Sequence, residues 1–233
     1  LPEAIVNFMA LLGWNPGTDK EIFSLSQLEK EFSIEKVQKA GAIFNIDRFN
    51  FINSLYIREK PIEKLTELCL PYLLESKSIL EKNGEYATGA GEGISNSQVR
   101  KIVEVSRSRI KKLSDIVELA DFFFQDEFDF DKELLKWDNM QEGDIEEALL
   151  LCDKLLTESG DWKIEKIEKS FLDAIVEFNR QKGYPEKNKG FVLWPLRVAL
   201  SGKRFSPSPF EIIDILGREK TLRRIKAAIK KFQ

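Results

Sequence analysis

The chain of 233 residues contains no histidine. That removes the imidazole base of Ser–His and Cys–His catalysis and leaves no His/Cys cluster for zinc. Its two cysteines, Cys69 and Cys152, are too few for a disulfide framework and fit a reducing, cytoplasmic setting. No apolar run approaches the roughly 20 residues of a membrane helix, so no membrane partner is expected. Any chemistry is left to carboxylates, lysines and main-chain groups. The opening Leu1-Pro2-Glu3 places an acid where a secretory leader carries bases. The first residue is not Met, so a piece of a longer protein is expected.

What the chain does have is charge in blocks. The formal net charge is only −3. Yet Asp115 to Asp161 holds sixteen acids and three lysines, while Arg197 to Lys231 holds ten bases and three acids. Arg100 to Lys112 adds six bases against one acid. Blocks of this kind either line solvated helix faces or steer a polyanion onto one side of a protein.

The periodicity predicts an all-α protein. Pro2 suits a first helical turn, Ile5, Phe8, Met9 and Leu12 recur at helical spacing, and Gly13 ends the run. Ser24 to Gln27 is a capping box that opens a helix through Phe32. Phe44, Ile46, Phe49, Phe51 and Ile52 form a dense stretch expected in the core. Ile62 to Leu80 reads as a helix bent or broken at Pro71. Asn83 to Gly93, with four glycines, reads as a flexible surface loop. Val99 to Phe124 reads as one helix, Asp144 to Glu147 as a further capping box, and Gly160 and Gly183 as helix stops. Only Phe32 to Val37 hints at extended chain. Pro61 and the acidic run Asp126 to Asp131 mark the expected boundaries: 1–60, 61–130 and 131–233.

One stretch, GFVLWPLRVALSGKRFSPSPFEIIDILG, sets Arg197 among apolar neighbours and then spends two prolines on a short turn. Ser208 is an N-cap, Pro209 the first helical residue and Glu211 the third member of a capping box. Pro207 holds the approach extended and restricts Ser206. Such a loop is either a rigid corner between helices or a stiff edge for a flat polar ligand such as a base.

The segments LPEAIVNFMALLGW, KEIFSLSQLEKEFSIEKVQKAGAIFNIDRFNFINSLYIRE and WPLRVALSGKRFSPSPFEIIDILGREKTLRRI, read in order, resemble the C-terminal half of bacterial-type glutamyl-tRNA synthetase. The resemblance implies a helical stem-contact region followed by a two-subdomain helical cage around the anticodon of tRNA(Glu). It also implies an upstream catalytic domain of the same protein. The family's two-histidine ATP signature and its lysine loop have no counterpart here. ATP and magnesium are therefore assigned to that upstream part, and this segment is expected to hold no cofactor, metal or catalytic residue. The family's R-x-R motif falls on RSR. That makes Arg109 the expected reader of the third anticodon base, a cytosine, with Arg107 beside it. Family members that also charge glutamine tRNA tend to carry glutamine there, so the resemblance points to a discriminating enzyme. Arg197 matches the arginine of PLR, and Ser206, Pro207, Ser208 and Pro209 match the loop that meets the first two anticodon bases. The family often has Gly where Ser208 stands, and a shorter loop than 83–93. A class I lysyl-tRNA synthetase cage and a protein-binding helical scaffold using the acidic 115–161 face are the alternatives. A monomer is expected.

Overall fold

The structure, a computed structural model, describes residues 1–38, 43–82, 84–89 and 91–232. Among them lie ten α-helices and one small antiparallel sheet. The helices are α1 (Pro2–Gly13), α2 (Leu25–Glu31), α3 (Ile46–Glu59), α4 (Ile62–Glu75), α5 (Asn96–Ser106), α6 (Asp115–Phe124), α7 (Glu142–Glu158), α8 (Ile164–Lys182), α9 (Gly190–Ser201) and α10 (Pro209–Ile229). The strands β1 (Ile79–Lys82), β2 (Glu85–Thr88) and β3 (Gly93–Ile94) stand between α4 and α5 in the order β1-β2-β3.

Local signals place most of the helix starts. Ser24 accepts from the Gln27 amide while Gln27 reaches back to the Ser24 amide, and the same reciprocal pair opens α10 at Ser208 and Glu211. A third box, Ser95 with Gln98, opens α5. Gly183 ends α8 in the left-handed conformation. α10 is two helical runs in one: at Gly217, φ is 72° and ψ 176°, and the axis breaks there.

Several expectations fail for physical reasons. The stretch Ile62 to Leu80 is helical only to Glu75, and Ile79 and Leu80 turn into β1. The described residues of 83–93 belong to a β-meander rather than a loose loop. Glu85 to Thr88 pairs with both neighbours, and Gly84 and Gly91 take the positive φ its turns need. Asn83 and Ala90 lie outside the described residues. The run Val99 to Phe124 is two helices with a 3-10 turn, Arg107–Arg109, after the first. α7 begins at Glu142, so Asp144 lies inside it and caps nothing. Its carboxylate instead accepts from the Tyr184 hydroxyl at 2.5 Å. Phe32 to Val37 is extended at Phe32, Ser33 and Val37, with a 3-10 turn, Ile34–Lys36, between them, and only Val37 pairs, bridging Trp14. In α1 the buried face is Ala4, Asn7 and Phe8, while Ile5 and Met9 point outward.

One core runs through residues 57–229 and draws on α4 to α10, with Phe122, Phe171, Phe191, Leu196 and Ile225 at its heart. Residues 1–56 contribute two smaller clusters, one around Phe8 and Ile52, the other around Trp14 and Phe23. Phe49 and Ile52 pack there as expected, but Phe44, Ile46 and Phe51 remain exposed. Asn7 ties the two clusters. Its amide oxygen accepts from Phe23 N–H at 2.7 Å and from Tyr56 O–H at 2.9 Å.

Candidate nucleic-acid interface

The basic blocks of the sequence do not share one fate. Four of the ten tail bases are paired with carboxylates of the acidic segment. Lys220 and Arg223 meet Asp126 at 3.4 and 3.3 Å, Lys231 meets Asp129 at 2.5 Å, and Lys203 meets Asp121 at 2.6 Å. Lys220 and Arg223 also reach Glu92 at the β2–β3 turn. These contacts hold Asp126 and Asp129 below their ordinary carboxylate range, Asp129 chiefly through its bond from Lys231. The acidic stretch is thus partly an internal counter-charge rather than a free face. Arg224 is 4% exposed and donates to the carbonyls of Leu200, Phe122 and Gln125, so it clamps three chain ends inside the core.

A second group of arginines behaves differently. Arg58, Arg107, Arg109, Arg197 and Arg204 have no carboxylate within 4.0 Å among the described residues. Four of them instead bond main-chain carbonyls, and those bonds run in sequence across the molecule. Arg58 of α3 donates to Ser108 O at 3.1 Å, and Arg107 donates to Lys60 O. Arg109 donates to Val105 O at 3.1 Å and to Ser206 O at 3.0 Å. Arg197 donates to Arg204 O at 3.1 Å. The end of α3, the 3-10 turn after α5 and the loop between α9 and α10 are stitched together by guanidiniums whose charge no acid cancels.

α9 explains the setting of Arg197. Trp194 lies one turn earlier, and the Arg197 guanidinium sits over its ring, 4.4 Å from the centroid. Trp194 is itself fixed. Its indole N–H donates to Leu134 O at 2.8 Å, and its ring lies 4.8 Å from that of Trp137. Trp137 lies so close to the backbone at Gly190 that a Cβ there would come within 2.2 Å of its indole nitrogen. Burial, and then the nearby Arg109 charge, lower the Arg197 pKa from its ordinary value. Such a group gains from any anion or acceptor brought to it.

The loop is stiff. Gly202 takes φ 66° at the end of α9, with Phe128 occupying the space where a side chain would point. Pro207 and Pro209 are buried, and the buried Ser206 hydroxyl accepts from Ser201 at 3.2 Å. Ser208 is exposed, but its amide and hydroxyl are both engaged by Glu211 in the helix cap.

Of the positions singled out from sequence, Arg109, Arg197 and Ser206 come together, while Pro207, Ser208 and Pro209 support them as packing and cap. Arg107 turns away, to the carbonyl at the α3–α4 joint. Sequence reasoning missed Arg58, Trp194, Arg204 and Phe205. Trp194 was findable, three residues before Arg197 on a helix. Arg58 was not, because its relation to Ser108 is set by tertiary packing. Arginines of this kind offer donors only, so the face can hold phosphates and acceptor edges and disfavours donor edges. Among the described residues no group of three or more His, Cys, Asp or Glu side chains could hold a metal ion. Nor is any described helix long and apolar enough to cross a membrane.

The chain is 35% identical over its full length to a glutamate–tRNA ligase of Clostridium kluyveri, covering 44% of that protein. It is 36% identical over its full length to a glutamate–tRNA ligase of Clostridium tetani, covering 43%. It thus spans less than half the length of these relatives, and the matched part is their C-terminal half. Among solved structures, the glutamate tRNA ligase of Elizabethkingia meningosepticum in complex with its amino acid superposes with a TM-score of 0.75 at 28% identity. That match covers all of this chain and 42% of that one. The family model described as "Anticodon binding domain" matches residues 64–229. With the guanidinium face lying inside the matched span but for Arg58, the chain belongs to the anticodon-binding domain family.

Proposed function

We propose that this chain binds the anticodon arm of tRNA(Glu) as the C-terminal part of a monomeric, cytoplasmic glutamate–tRNA ligase. In this reading the ATP- and magnesium-dependent chemistry belongs to an upstream catalytic domain. Residues 1–60 contact the stem side, and 61–130 and 131–233 form the two halves of the cage. The observation that carries the reading is the row of arginines without carboxylate partners at Arg58, Arg107, Arg109, Arg197 and Arg204, while Lys203, Lys220, Arg223 and Lys231 of the tail already hold carboxylates. An uncancelled cationic row next to a stiff loop suits a splayed, single-stranded RNA loop. A scaffold acting through the acidic 115–161 face is less well supported, because Asp121, Asp126 and Asp129 already hold lysines and arginines. A lysine-specific cage shares the fold class, and the choice of tRNA decides between them.

Arg109 is proposed as the reader of the third anticodon base. Two of its five N–H groups hold Val105 O and Ser206 O, which fixes the guanidinium and leaves three donors for a ligand. Cytosine offers acceptors at O2 and N3. Guanine would set N1–H and N2–H against those donors. The test is equilibrium binding of transcripts that differ only in the anticodon, across a salt series. Binding to the tRNA(Glu) transcript should fall steeply with salt and exceed binding to a lysine transcript. No anticodon preference at any salt would sink the reading.

A further inference from the structure

Phe205 is an anomaly in the large-core region. Its ring is 75% exposed, more than that of any other described aromatic side chain. The segment that holds it is not loose. The carbonyl before it, on Arg204, is held by Arg197, and the carbonyl after it, on Ser206, is held by Arg109. Pro207 is buried next in line, and Gly202 anchors the other end against Phe128. The main chain of Phe205 is therefore clamped on both sides by uncancelled guanidiniums, while the ring stands in solvent. Neither its own N–H nor its C=O finds a partner among the described residues. Exposing a whole phenyl ring is unfavourable relative to burying it, and rigid clamping stops the loop from folding it away.

We propose that Phe205 is a stacking platform for an unpaired nucleobase of the bound RNA, with the Arg204 guanidinium beside it on the phosphate of that nucleotide. This rests on the reading of the chain as an anticodon-arm binder and adds to it a residue that works through its π-face. Every base has a flat face, so the contact adds affinity and orientation without reading sequence. An aliphatic partner protein would also bury the ring, but would gain nothing from the arginines on either side.

The experiment uses an RNA hairpin carrying the anticodon loop, with a fluorescent aminopurine placed at each loop position in turn. It is bound to the chain and to its Phe205→Ala, Phe205→Leu, Phe205→Trp and Arg204→Gln variants. On the wild type, one position should be quenched by stacking. Phe205→Ala and Phe205→Leu should lose that quenching and bind roughly 5- to 100-fold more weakly, with the salt slope unchanged. Phe205→Trp should keep both quenching and affinity. Arg204→Gln should lower the salt slope by about one. Unchanged quenching and affinity in Phe205→Ala, or equal losses in Phe205→Trp and Phe205→Ala, would overturn the platform. So would a change in self-association without a change in RNA binding. If the wild type binds no RNA hairpin, the functional reading falls, and the platform with it.

Discussion

Residues 1–56 and residues 57–232 leave different things on their surfaces. Of fourteen large apolar side chains exposed among the described residues, eleven lie between Ile5 and Phe51, with Met9 64% and Ile34 76% exposed. The second region exposes only Leu80, Leu150 and Phe205 in this class. It also leaves charge uncancelled, in Arg58 at its edge and in Arg107, Arg109, Arg197 and Arg204 among others. Two small clusters are too thin to cover the apolar side chains of three short helices, whereas seven helices around one core can bury nearly all of theirs. The leftover surface is the informative one. Apolar remainders suit a protein neighbour, and cationic remainders suit a polyanion.

The largest expected effect tests whether the cores are separate. Phe171 is fully buried in the large core, and Phe171→Ala should cost about 3–5 kcal/mol there. Hydrogen exchange should show α4 to α10 losing protection while α1 to α3 keep theirs. Loss across both regions together would merge them into one cooperative unit.

Cysteine extends the same comparison. Cys69 and Cys152 both lie in the large core, fully buried, and burial pushes both thiols up, Cys69 to about 12. In the unfolded chain Cys69 loses its proton near 9, whereas the folded chain keeps it. Above pH 9 the folded state therefore binds more protons, and stability falls as pH rises. Cys69 contributes a slope of about 1.4 kcal/mol per unit until it titrates near 12, and Cys152, raised by its burial in the same core, adds to the fall. Denaturant melts at rising pH should show this slope, and Cys69→Ala should lessen it.

Next comes the cationic remainder. Arg109→Gln should shrink the preference for C over G at the third anticodon position by about 1–3 kcal/mol. Most of the change should be gained on the G-ending transcript, because the donor–donor clash disappears. Equal weakening of both transcripts would make Arg109 a phosphate contact. Arg223, held by Asp126 and Glu92, should by contrast change little for either transcript when replaced by Gln.

The smallest effect concerns the apolar remainder. Met9→Ser with Ile34→Thr should leave stability within about 0.5 kcal/mol, since neither side chain is buried. The same pair should reduce self-association in sedimentation at high concentration. A large loss of stability would mean that these side chains do pack in the free chain.

Legibility followed the range of the interaction. The capping boxes at Ser24 and Ser208, and the stop at Gly183, depend on residues three or four apart and were readable as such. The strand Ile79–Lys82 was not, because Ile-Leu-Glu-Lys suits a helix and becomes a strand only by pairing with Glu85–Thr88. The heart of the site was half legible. RSR, PLR and the proline turn could each be singled out, but not that Arg109 would grasp Ser206, ninety-seven residues away. The acidic segment misled because charge counts are blind to who meets whom. Asp126 reads as part of a free face until Lys220 and Arg223 are seen on it.

The Trp137–Trp194–Arg197 arrangement gives the chain a built-in optical probe. Two indoles 4.8 Å apart share their excitation, and a guanidinium 4.4 Å above one of them shifts its emission by its field. Under the proposed function, a phosphate or a base drawing on Arg197 would change that field at Trp194, and ligand arrival should register in the colour and yield of intrinsic fluorescence. Trp14 and Trp162 lie elsewhere in the fold and supply a steady background. If Arg197 is the contact proposed above, a chain with no attached dye can be titrated by watching the tryptophan beneath it.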